Sequence, residues 1–323
     1  MHCELLVPGL FAAAQGARLP AAELIVARGR RSGADPLPLE RWLAARFGIE
    51  GHLPAGALTL LGSGGNPQGA AWARADPVHL RVMRDRISIV PSDAFSIARE
   101  EAIALSEALN RHFAGRLAFD PVEPGRWCVR LAEAAALEET STLEVAGADL
   151  SPGRAGEVLA NEVQMLLHGH AVNEAREARG EPAINGVWLW GAGDLPRLER
   201  SPWHGVSADD PLVRGLARAA GVRAQPLAAS APSWLAASPD DGRHLLVLDD
   251  LRLPLALGDQ ETAARRLLDL EAQWLEPLLG AVKSGRAGMV TVHVPDAGIS
   301  FELIRGDLRR FWRRARALAT MLP

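Results

Sequence analysis

The stretch His170–Pro196, HAVNEAREARGEPAINGVWLWGAGDLP, decides how the rest of the chain is read. It spells the end of a helix, a break at Gly180 and Pro182, a buried strand over Ile184 to Trp190, and a tight turn at Gly191, Ala192 and Gly193. A helix feeding a strand whose carboxyl end opens into a small-residue loop is the usual place for a site in an open α/β sheet. Asn173 and Arg176 are three positions apart and point the same way if the helix continues through them. With Asn185 and the amides of the glycine turn, they would either bind an anion jointly or hold two lobes together.

Composition narrows the function classes around that stretch. With 323 residues, 48% of them hydrophobic, the chain can bury a large core as one elaborate α/β domain or two lobes. The net charge is −4 and the basic residues are almost all Arg, scattered among carboxylates, which argues against a nucleic-acid partner. Cys3 and Cys128 show no CxxC spacing and suit a reducing cytosol as packed small apolar residues. Pro8 and Gly9 break the first apolar run and no positive region precedes it, so no signal peptide is expected. No membrane span is expected either, and the expected location is cytoplasmic.

Outward along the chain, CELLV at 3–7 reads as a buried first strand and Leu37 to Phe47 as a short amphipathic helix. ALTLLGSGGNPQG at 57–69 reads as a strand and a glycine-rich loop, with no GK[ST] to make it a phosphate cradle. Residues 73–90 read as two strands about a turn at Met83 to Asp85, gathering Arg74, His79, Arg81 and Arg84 near one sheet edge. Planar Arg forks there suit phosphate or carboxylate, although Asp76 and Asp85 would neutralise them on a solvated face. A helix capped by Ser92 or Asp93 runs to about His112, and two strands follow over 117–131. Beyond a helix from Arg154 to His168 and the opening stretch come a strand ending at Val206 to Ala208, a helix starting at Asp209 and Asp210, and a polar connector over 230–242. The chain then gives a strand from His244, a helix over Glu261 to Leu279, a strand within 287–298, and an Arg-rich helix from Asp307 to Leu318.

In its key positions (Asn173, Arg176, Gly180, Pro182, Asn185, Trp188 to Gly191, Gly193 and Pro196) the opening stretch resembles a block of the archaeal-type cofactor-independent phosphoglycerate mutases. Those enzymes are two-metal members of the alkaline phosphatase superfamily. The whole chain, ADPVHLR at 75–81 included, looks like the bacterial RpfE-type regulatory proteins. The resemblance implies an alkaline-phosphatase-like three-layer α/β core with a mainly parallel sheet, built from 1–70 and 151–323. It also implies an inserted, smaller α+β cap lobe over 71–150. The ligand it suggests is a phosphorylated or other anionic small molecule, with Arg74, His79, Arg81, Asn173, Arg176, Asn185, Gly191 and Gly193 as candidate contacts.

Set beside the superfamily pattern, this sequence departs from the metal-binding positions. The first strand ends in Pro8 where the pattern has Asp. A later loop holds Asp249, Asp250 and Asp259 without the expected His. The last strand offers Val292 and His293 in place of Asp-His. Two-metal phosphoryl transfer holds its cations roughly 3.5–4 Å apart with several carboxylates and imidazoles. The expectation is therefore a catalytically degenerate, regulatory or ligand-binding protein with no metal cofactor. Two alternatives stay open. One is an active phosphomutase or phosphohydrolase using manganese or zinc on Asp249, Asp250, Asp259, His293 and Asp296; the other is a structural partner protein with a vestigial cleft.

Overall fold

In a computed structural model, residues 1–82, 87–132, 137, 140–146, 149–150, 157–199, 201–237 and 242–321 are described. The expected turn at Met83 to Asp85, with Arg84, and the helix start at Arg154 lie outside them. The strands in chain order are β1 (His2–Leu6), β2 (Arg30–Gly33), β3 (Ala71–Val82), β4 (Ile87–Pro91), β5 (Leu117–Glu123), β6 (Arg126–Leu131), β7 (Asp149–Leu150), β8 (Gly186–Gly193), β9 (Gly205–Ser207), β10 (Arg223–Gln225), β11 (Arg243–Val247), β12 (Met289–Val294) and β13 (Ile299–Ile304). The contacts divide into two compact units: 1–47, 199–209 and 220–323 form one, and 48–198 with 210–219 form the other. The 71–150 span expected as a cap lobe covers part of the second unit.

The first unit is an α/β layer structure about a seven-stranded sheet in the order β10-β9-β11-β1-β12-β13-β2. Its five leading strands run parallel, and β13 pairs antiparallel with both β12 and the edge strand β2. Because side chains alternate along a strand, Cys3 and Leu5 of β1, with Val290 and Val292 of β12, turn to one face. There they pack with Ile25, Leu267, Leu278 and Val282 of the flanking helices. Glu4 and His293 belong to the opposite face, where the helix Leu39–Arg46 sets Trp42 against His293. The expected helix over 261–279 is Gln260–Leu270 continued by a π-helical turn, Glu271–Leu275, and Glu276–Ser284.

The second unit holds a six-stranded sheet, every pair antiparallel, with the path β5-β6-β3-β4-β7 and β8 on β3. This corrects the reading of 184–190 as a strand of the parallel sheet: Gly186 to Gly193 pairs with Trp72 to Val78. Burial along β8 is partial, as suits a strand in a lobe sheet. A second correction concerns 57–62. Ala55–Gly62 is a helix, buried on nearly every side, so it shows no amphipathic period to distinguish it from a strand. It packs on the helix Pro211–Ala219 through two glycines: a Cβ at Gly62 would stand 1.8 Å from the Pro211 carbonyl oxygen, and one at Gly215 1.8 Å from that of Leu58.

Three smaller expectations also change. Residues Ser92–Ala94 form only a 3-10 turn, and the helix begins at Arg99, where Glu101 accepts the Ala98 N–H. The polar connector contains the helix Ala231–Ala237, anchored by buried Trp234. The Arg-rich tail is 3-10 turns at Arg305–Arg309 and Leu318–Thr320, not one helix. Among the described residues no helix is long and apolar enough to cross a membrane.

Candidate functional site

At the strand tips of the first unit, the acidic residues selected from sequence have separate structural tasks. Asp259 caps the helix Gln260–Leu270, accepting the Thr262 N–H at 3.0 Å, which holds its carboxyl below the usual range. Asp296 accepts the Gly9 N–H at 2.9 Å and ties the turn after β1 to the turn after β12. Asp250 is exposed and Asp249 partly buried; the Asp249 carbonyl starts the turn into the helix Arg252–Ala256. Among the described residues, no group of three or more His, Cys, Asp or Glu side chains is gathered closely enough to hold a metal ion.

His293 sits one strand face away from these tips, in a polar cluster that the sequence reading did not anticipate. Its Nε2 lies 3.2 Å from Glu4 Oε2, and its Nδ1 2.7 Å from Ser300 Oγ. Glu4, 1% exposed, also pairs with Arg243 and accepts from Trp203 Nε1 at 3.1 Å. Burial alone would raise the Glu4 pKa, but the hydrogen bonds from His293, Arg243 and Trp203 reverse that and bring it to about 2. His2, 3.6 Å from Glu4, has its pKa lowered by burial, which outweighs the nearby carboxylate. Trp42 covers His293 at 5.1 Å between centroids and also lies 6.3 Å from Trp203. Beside this cluster is a cavity of about 330 Å³ whose lining includes Ser32, Asp35, Trp42, Arg46, Pro295 and Ser300.

In the second unit, most of the candidate anion contacts bind protein groups. Arg176 is buried; its Nε donates to the Pro182 carbonyl, Nη1 to Glu101 and Nη2 to the Ser96 carbonyl. The Asn173 amide clasps the backbone of Ile184 in both directions and reaches the Leu167 carbonyl. The Asn185 side chain exchanges both hydrogen bonds with the backbone of Leu80, as a ladder partner would. His79 Nδ1 meets the Ala183 carbonyl at 2.7 Å. Arg74 is buried and forks onto Asp76 at 2.6 and 2.9 Å, while Asp76 also accepts from Thr142 and Trp190. Burial would lower the Arg74 pKa, but the Asp76 and Asp210 carboxylates hold it above its usual value. Arg81 is exposed on β3. Gly191 takes a left-handed φ of 60° and passes close to the Ala55 backbone, so any side chain there would collide.

An open cavity of about 880 Å³ lies in the second unit where the end of the first glycine loop meets the residues that follow the second. Pro67, Gln68 and Gly69 of the first loop line it, and so do Asp194 to Arg197, which continue directly from Gly193. Arg130 on β6 completes the polar lining; neither Arg130 nor Arg197 is ion-paired with another described residue. In β3, which lines the cavity through Ala71, the neighbouring Trp72 has a buried indole N–H with no hydrogen-bond partner among the described residues. Trp72 is the ladder partner of both Arg130 and Gly193.

The chain is similar in fold to the PH0037 protein of Pyrococcus horikoshii. That likeness has a TM-score of 0.52 at 16% identity and covers 90% of this chain and 81% of that one. A looser likeness links it to the cofactor-independent phosphoglycerate mutase of Thermoplasma acidophilum, at TM-score 0.43 and 17% identity, over 94% of this chain and 90% of that one. At such identities only the arrangement of the fold is shared, and the second score is too low to carry argument. No protein-family model matches the chain, and no curated protein sequence matches it.

The sequence reading named His293 only as part of an active two-metal alternative and read the 57–69 loop as no phosphate cradle; it did not single out Glu4, Ser300, Arg130 or Arg197. Glu4 stands inside an apolar run, CELLV, where an isolated carboxylate is itself a signal because burying it requires partners. Arg197 follows the glycine turn by four residues and was within reach of the same reading. Nothing local marks Arg130, which meets Trp72 through strand pairing over a long separation, whereas Ser300 faces His293 across a hairpin seven residues on.

Proposed function

We propose that this chain is a regulatory, ligand-binding protein that takes a phosphorylated or otherwise anionic small molecule on a phosphatase-type scaffold and does not catalyse the mutase reaction. The open cavity of the second unit carries this reading. Two guanidinium groups and one carboxylate line it, giving a net positive lining in a chain of net charge −4. Arg forks bind phosphate or carboxylate through paired N–H donors, and glycine-bearing loops let backbone N–H groups approach an anion closely.

That it does not run the two-metal mutase reaction rests on what the acidic superfamily positions do here: Asp259 caps a helix and Asp296 clasps a turn. A regulatory role agrees with the resemblance to RpfE-type proteins. The test is thermal stabilisation by 3-phosphoglycerate and by inorganic phosphate. A ligand at ten times its Kd stabilises by about 1.4 kcal/mol, so a saturable rise in Tm is expected, lost in the Arg130→Ala, Arg197→Ala double variant. An equal rise in that variant would place the anion elsewhere.

A further inference from the structure

We infer that Ser300, His293 and Glu4 form a nucleophile, base and orienting carboxylate that open small carboxylic esters in the cavity beside Trp42. This site is in the first unit and is independent of the anion-binding reading above. The strand register makes the first contact: His293 of β12 and Ser300 of β13 are direct partners in an antiparallel pair, so both side chains leave the same sheet face. Their polar atoms are 2.7 Å apart. Glu4, on the neighbouring parallel strand and the same face, reaches the other ring nitrogen at 3.2 Å.

The proton positions follow from these partners. Glu4 is ionised throughout the neutral range and only accepts hydrogen bonds, so His293 Nε2 is the protonated nitrogen. His293 Nδ1 then presents its lone pair, and the Ser300 hydroxyl must donate to it. A base holding the serine proton, oriented by a third group on its far nitrogen, is the general signature of an activated hydroxyl nucleophile. Ser300 lines the cavity of about 330 Å³, which sets a size limit of a short acyl or alkyl group; the charged groups of the same lining are Asp35 and Arg46, the latter's guanidinium lying over the Trp42 ring.

In the reaction, Ser300 Oγ bonds to the ester carbonyl carbon while its proton moves to His293 Nδ1. The bond from that carbon to the alcohol oxygen breaks, and the alcohol departs with the proton. Water then attacks the acyl carbon, giving its proton to Nδ1, and Ser300 Oγ leaves with it as the carboxylic acid is released. Glu4 is a positioning residue that acts through the imidazole.

A fluorophosphonate probe, whose phosphorus takes a serine oxygen with loss of fluoride, tests the assignment by intact mass and peptide mapping. The expected result is one adduct, mapped to Ser300, absent in Ser300→Ala and slowed about 100-fold in His293→Gln. Glu4→Gln is expected to slow labelling and Glu4→Asp to restore part of the rate, which a merely structural role would not do. Should His293→Gln not fold, the Glu4→Gln and Glu4→Asp pair decides. No adduct at Ser300, or labelling equally fast in Glu4→Gln and the wild type, would overturn the proposal.

Discussion

Replacing Glu4 with Gln removes the one carboxylate on which the buried face of the parallel sheet is centred. Folding takes that carboxyl from about 4.5 to about 2, and each factor of ten in proton affinity is worth about 1.4 kcal/mol, so its ionised form contributes about 3 kcal/mol. Because the folded pKa is depressed, this contribution is fully present above pH 4.5 and is lost as pH falls through about 2. The assay is urea denaturation of the wild type and Glu4→Gln, followed by tryptophan fluorescence at intervals from pH 7 to pH 2. Trp203, which donates to Glu4, is one of the nine tryptophans that carry the signal. The expected outcome is a loss of about 3 kcal/mol at pH 7 in Glu4→Gln, with the two proteins converging as pH approaches 2. Equal stability at pH 7, or curves that run parallel through the acid range, would refute the claim that Arg243, His293 and Trp203 hold an ionised Glu4 in place.

Three further perturbations address the second unit and a helix of the first. Arg176→Ala strips partners from Glu101 and from the Ser96 and Pro182 carbonyls; it is expected to cost about 3 kcal/mol by denaturant melt, and Lys is expected not to rescue it, since an ammonium cannot reproduce the fork. Gly62→Ala gains about 1 kcal/mol of helix propensity yet drives a methyl into the Pro211 carbonyl, so a net loss of about 2 kcal/mol is expected. The same change at Gly280, where a Cβ meets nothing within 4 Å, is expected to stabilise by about 0.5–1 kcal/mol. If Gly62→Ala and Gly280→Ala melt alike, the close helix packing is wrong.

The parallel sheet was legible wherever one strand face is apolar and short turns bound it, as in CELLV and the strand from Met289. Helix Leu39–Arg46 was legible for the analogous reason, a clear stripe of Leu39, Trp42 and Leu43. Ala55–Gly62 was not, because burial on all sides erases the period that separates helix from strand. The placement of 186–193 failed for a different cause. Its run of Val187, Leu189 and two Trp suits any sheet, and only the pairing with the long strand β3 assigns it to the antiparallel one. Asn173, Arg176 and Asn185 were read as candidate anion contacts, and spacing could not tell an anion from the protein groups they bind here. The tail misled because arginines favour helices in general, whereas Arg310 and Arg313 here donate to the carbonyls of Arg28 and Gly29 and hold an irregular path.

Phosphorus NMR on 2-phosphoglycerate, with stoichiometric protein and added Zn²⁺, tests binding and turnover in one tube. The account predicts saturable broadening of the phosphate resonance that disappears in the Arg130→Ala, Arg197→Ala double variant, with no 3-phosphoglycerate formed over hours. Interconversion of the two isomers would contradict it.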